Sequence, residues 1–152
     1  MPLHLQDELA AVVAAEAAAF GARVENPAAR AALQRLKEAA AGGTVPDDLL
    51  PVLGNLLELT LGSGRIRARY GPREEQALNE VFRRTPRGRE VEAQVARVNR
   101  ALALLDGQVL ERARLAAGGP GAYRLVIEAG GRQLSVALGP SGAAVRSLEI
   151  AL

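Results

Sequence analysis

The sequence predicts an α+β fold: a helical body of about five helices followed by a C-terminal three-stranded antiparallel β-meander packed on the long fifth helix. Three observations predict it. Apolar residues recur at helical spacing through about residue 116, the run Gly118-Gly119-Pro120-Gly121 interrupts them, and beyond it they alternate with a period of two. A chain of 152 residues can bury a core without staples, so one domain over 1–152 is expected, helical over 1–117 and β-meander over 122–152.

The elements follow in order. Leu5, Leu9, Val12, Val13, Phe20 and Val24 stand at helical spacings in an Ala-rich stretch, which predicts a first helix over about residues 4–23. Glu16 interrupts its apolar side, and rotation of the stripe by one position in so alanine-rich a helix leaves this carboxylate in solvent. Asn26 is a ready N-cap and Pro27 a first helical residue, so a second helix starts there, buries Leu33 and Leu36, and stops at Gly42-Gly43. Thr44 to Asp48 reads as the start of a third helix, with two acids at the positive end of its dipole and Pro51 in its first turn. Leucines on every side of residues 49–61 make that helix the buried centre of the body.

Gly71-Pro72 opens a fourth helix with Glu74 and Glu75 in its first turn, and Thr85-Pro86 closes it. The fifth and longest helix is expected over about residues 87–116, with Thr85 as a possible cap. Val91, Val95, Val98, Leu102, Leu105 and Val109 alternate four and three apart there, a heptad seam suited either to the chain's own helices and sheet or to a partner. In the meander, Tyr123, Leu125 and Ile127 share one face. Gly130-Gly131 turns the chain, Leu134, Val136 and Leu138 continue that face, and Leu148, Ile150 and Leu152 complete it.

Composition narrows the chemistry. Without cysteine there is no disulfide, thiolate metal site or cysteine nucleophile. The only aromatics are Phe20, Phe82, Tyr70 and Tyr123, which leaves little for stacking bases. No apolar run is long enough to span a membrane, and Asp7 and Glu8 spoil a signal peptide, so a cytoplasmic location is expected. The single histidine, His4, is expected to be a solvated terminal imidazole. No triad or histidine metal site can be assembled, the acidic pairs Asp47-Asp48 and Glu74-Glu75 are explained by helix dipoles, and the glycine clusters lack the strand-before, helix-after context of a phosphate loop. Cofactor, metal and catalytic residues are therefore expected to be absent. No motif attaches the chain to a known family, and no internal repeat occurs.

Charge supplies the one positive signal. Residues 63–100 hold ten Arg against five Glu, a net +5, whereas residues 1–62 hold four basic residues against eight acids, a net −4. In Arg65-Ile66-Arg67-Ala68-Arg69 an extended backbone would set three guanidinium groups on one side about 6 to 7 Å apart. Arg83, Arg84, Arg87 and Arg89 could extend that patch, which makes these seven the candidate anion or nucleic-acid contacts. Two functions follow. The leading expectation is a non-enzymatic protein–protein interaction or adaptor protein that self-associates as a homodimer, through the helical seam or a sheet edge; the alternative is an anion or nucleic-acid binder using the Arg-rich segment.

Overall fold

The computed structural model describes residues 1–150. The fold is α+β, and the chain forms two compact units, Met1–Arg89 and a second from Glu90 onward.

The first unit is helical. β1 (Leu3–His4) pairs antiparallel with β2 (Thr44–Val45), so the segment expected to begin the third helix is a strand first and a short 3-10 turn, Asp47–Leu49, second. Pro46 between them explains the difference, because it lacks the N–H that a continuing ladder would need. His4 is tied down by this pairing: its Nδ1 lies 3.0 Å from Thr44 Oγ1. α1 (Asp7–Gly21) and α2 (Pro27–Ala41) follow, and Asn26 caps α2 by accepting from the amides of Ala28 at 2.9 Å and Ala29 at 3.2 Å. α3 (Leu50–Gly62) carries Pro51 in its first turn and buries Leu53, Leu56 and Leu57, although Leu59 on its outer side stays exposed.

Arg65 to Tyr70 is α4, a six-residue helix and not an extended segment. Ile66 and Tyr70, four apart, fall on one face of it and pack inward, Ile66 completely. That apolar pair outweighs the two-residue alternation of the arginines. Gly64 at φ 76° and Gly71 at φ 100° bracket it with backbone that a β-carbon would strain. α5 (Pro72–Arg83) buries Leu78 and Val81. At its end Thr85 is fully buried, donating to the Phe82 carbonyl at 2.6 Å and accepting from the Gly88 amide at 3.1 Å. α6 (Pro86–Ala103) begins there.

The second unit takes up most of α6 and an antiparallel sheet of four strands in the order β3-β4-β5-β6: β3 (Leu110–Gly119), β4 (Ala122–Ala129), β5 (Arg132–Gly139) and β6 (Gly142–Ile150). The three-stranded meander expected from the sequence therefore lacks the first of these strands, whose residues the helical spacing places at the end of the fifth helix. Glu, Arg, Ala and Leu fill Leu110 to Ala117, all strong helix formers, and cross-strand pairing with β4 overrides that preference. Gly107 at φ 75° marks the break. Leu148 and Ile150 lie in β6 as expected, and Ala151 and Leu152 lie outside the described residues.

Candidate functional site

Most of the arginines from 65 to 89 are held by partners of their own. Arg65 Nε donates to Glu16 Oε2 at 2.6 Å, Arg67 lies 3.7 Å from Glu75, and Arg69 stacks over the Tyr70 ring with 5.8 Å to its centroid. Arg83 pairs with Glu80 at 2.8 Å, while Arg87 grips Glu58 with two hydrogen bonds of 2.9 and 2.8 Å. Arg84 and Arg89 are exposed. Most of the segment's charge is thus already answered inside its own unit. The Arg87 hydrogen bonds hold the Glu58 carboxyl below the ordinary glutamate range, against a smaller opposing effect of burial.

Glu16 is buried at 2% exposure, contrary to the solvated position expected for it. Besides the Arg65 bond, its Oε1 accepts from Tyr70 Oη at 3.0 Å. A buried carboxylate is tolerated when paired and hydrogen-bonded, and here both partners come from α4. Burial, then the bond to Glu16, pushes the Tyr70 phenol above its ordinary range. No sequence spacing announces this cluster, since Glu16 and its partners lie 49 and 54 residues apart. Both oxygens of Glu16 are engaged, and the cluster fixes α4 against α1.

The seam residues separate into two sets. Val98, Leu102 and Leu105 pack with Ala101 on Leu134 and Val136 of the sheet. Val91 is partly buried, Val95 is 46% exposed, and Val109 lies beyond the helix at 79% exposed. The helix covers only the middle of the sheet. Pairing registers place Leu115 of β3 opposite Leu125, Leu125 opposite Val136, and Leu134 opposite Leu148, so all of them occupy the same face. At the flanks, however, Leu115 is 61% exposed, and Tyr123, Leu148 and Ile150 are exposed as well. Every residue of β3 is exposed, and the strand forms one open edge of the sheet.

The opposite face is basic. Arg112 and Arg114 of β3 and Arg124 of β4 alternate with the apolar side, and Arg146 is the extra residue of a bulge in β6 between the pairs Ser135 with Ser147 and Val136 with Val145. None of these four makes an ion pair among the described residues. A cleft of about 490 Å³ lies at the hairpin end of the sheet, lined by Arg124, Arg146, Tyr123, Leu138, small residues of the strands, and Gln94 of α6. Gln94 Oε1 is buried there without a hydrogen-bond partner among the described residues. Sequence reasoning passed over these arginines because residues 101–152 carry only +1 overall, five Arg against four acids, and the pairing that gathers the arginines on one face is invisible in a sum.

No group of three or more His, Asp or Glu side chains suited to a metal occurs among the described residues, and no helix among them is long and apolar enough to cross a membrane. Comparison with protein-family models, with curated proteins and with solved structures finds no match.

Proposed function

We propose that this chain is a non-enzymatic interaction protein that self-associates, and that a second copy pairs with the open edge of β3. The observation that carries the reading is the ten-residue β3, exposed throughout, with Leu115 uncovered on the apolar face beside it. Long exposed edge strands with apolar side chains are templates for pairing, and homo-oligomers overwhelmingly use a two-fold contact.

Charge narrows the register. A two-fold centred on Arg112 or Arg114 sets an arginine against itself, and one centred on Ala113 sets Arg112 against Arg114, each a like-charge contact. Centring on Leu115 sets Leu115 on its own copy, Ala113 on Ala117, Arg114 on Ala116 and Arg112 on Gly118. No like charges then face each other. Both apolar faces lie on the same side in this arrangement, and Leu115 and Tyr123 from the two copies fill the space between the two α6 helices.

The test is mass in solution. The wild type should elute and scatter as twice the 15.9 kDa chain, insensitive to salt because the contact is apolar and backbone-paired, and Leu115→Lys should reduce it to a monomer of unchanged helix and sheet content. A wild type that is monomeric at high micromolar concentration, or a Leu115→Lys variant still dimeric, would overturn the reading.

A further inference from the structure

The cleft at the hairpin end of the sheet combines three features that the self-association reading leaves unused. Arg124 and Arg146 enter it from two strands, β4 and β6, separated by β5, on which the small residue Ala137 stands opposite both Arg124 and Ala144. Strands lie about 4.8 Å apart and Arg146 stands two residues along β6 from Ala144, so the two arginine backbones are roughly 11 to 12 Å apart, and two side chains of that length can close on one anion between them. Arg114 stands diagonally from Arg124, since the register sets Arg114 opposite Val126 and Ala116 opposite Arg124, which puts a third guanidinium about 7 to 8 Å away at its base.

The bulge is what makes the site. It inserts Arg146 into β6 without a partner on β5, and such extra residues re-aim a side chain at functional positions. The acids on this face, Glu128 and Glu149, lie on the pairs Arg112 with Glu128 and Gln133 with Glu149, further along the sheet and away from the hairpin end. Positive charge therefore concentrates at the cleft with no carboxylate lining it. Gln94, from α6 on the apolar side of the sheet, also lines the cleft, with its Oε1 buried against Gly142.

We infer that this cleft binds a phosphate-bearing small molecule, with Arg124 and Arg146 as the paired phosphate contacts and Arg114 as a flanking one. Arginine forks match phosphate oxygens in bidentate fashion, and about 490 Å³ holds a phosphate together with a modest organic group. Tyr123 also lines the cleft, but its ring belongs to the apolar face of β4, so the phosphate contacts fall to the arginines. Arg124 and Arg146 lie away from the β3 edge, so this inference stands whether or not the chain dimerises.

Calorimetric titration with pyrophosphate at low salt tests it, alongside a nucleoside monophosphate and a short single-stranded oligonucleotide. Pyrophosphate and the monophosphate should bind one per chain and compete with each other. Arg124→Ala and Arg146→Ala should each weaken binding about tenfold or more. Arg84→Ala combined with Arg89→Ala, which removes the same kind of charge from the other unit, should change it less than about twofold. Both cleft arginines are exposed, so unchanged melting temperatures would certify that the variants remain folded. The inference is overturned if the wild type retains neither small probe at low salt, if the control variant loses as much affinity as the cleft variants, or if only the oligonucleotide binds.

Discussion

The helical unit and the sheet unit treat their apolar and charged groups in opposite ways. In the first, leucines from α2, α3 and α5 meet in one core with Leu36, Leu53 and Leu78 fully buried, and the buried Glu16 has both oxygens bonded. In the second, one helix crosses a four-stranded sheet and buries Leu134 and Val136, but Leu115 and Ile150 on the flanks stay in water and, among the described residues, four arginines make no ion pair. A unit that satisfies its own surfaces is built for stability. One that leaves an edge, an apolar flank and a basic face open is where contacts with other molecules belong.

The strongest way to break this contrast is to place a charge at the middle and at the flank of the same sheet face. Val136→Asp would bury an unpaired carboxylate and should cost several kcal/mol, whereas Leu115→Asp, in water in the single chain, should cost well under about 1 kcal/mol of intrinsic stability. Urea melts at low protein concentration separate the two. Similar losses would mean that the flank is covered.

A smaller effect tests the helical unit. Glu16→Ala removes the acceptor for Arg65 and Tyr70 and should cost about 1 to 3 kcal/mol, Arg65 being partly in water and so only partly stranded. Arg84→Ala, at an exposed residue with no ion pair among the described residues, should stay within about 0.5 kcal/mol of the wild type. If the two variants melt together, the Glu16 cluster does not fasten α4 to α1.

The smallest effect concerns pH. Arg87 keeps the folded-state pKa of Glu58 below its unfolded value, so the stabilisation is present above the ordinary glutamate range, about 4.3, and fades as pH falls through the lower folded value. The stability difference between wild type and Glu58→Gln should therefore shrink on acidification from about pH 6 to pH 3. A difference that holds steady or grows over that interval would show that the pair does not favour the charged carboxylate.

How far each unit could be read in the sequence follows from the same contrast. The caps and stops of the helical unit are local: Asn26 with Pro27 and Gly71 with Pro72 act on their immediate neighbours and stand where the sequence puts them. The alternation of β4 and β5 was equally plain, because Val, Ile and Leu recur every second residue there. β3 was not legible, since Leu110 to Ala117 consists of helix-forming residues that become a strand only through their pairing with β4. The same is true of the sites. Glu16 meets Arg65 through the tertiary packing of α1 and α4, and Arg124 and Arg146 share a cleft through the sheet register and one bulge. The local Arg-rich run at 65–69 stood out in the sequence for the reverse reason: its alternation is visible, but Ile66 and Tyr70 made it a helix.

Because the chain has no cysteine, a single introduced thiol reports on the proposed two-fold contact without interference. Residues directly opposite in an antiparallel pair have α-carbons about 4.5 to 5.5 Å apart, within the span of a disulfide. Leu115→Cys should therefore cross-link rapidly to a covalent dimer under mild oxidation, at a rate that saturates with protein concentration. Arg112→Cys, which faces Gly118 in that register, should cross-link slowly. Equal rates for the two variants, or cross-linking of Leu115→Cys that rises in proportion to concentration as for random collisions, would contradict pairing of β3 about Leu115.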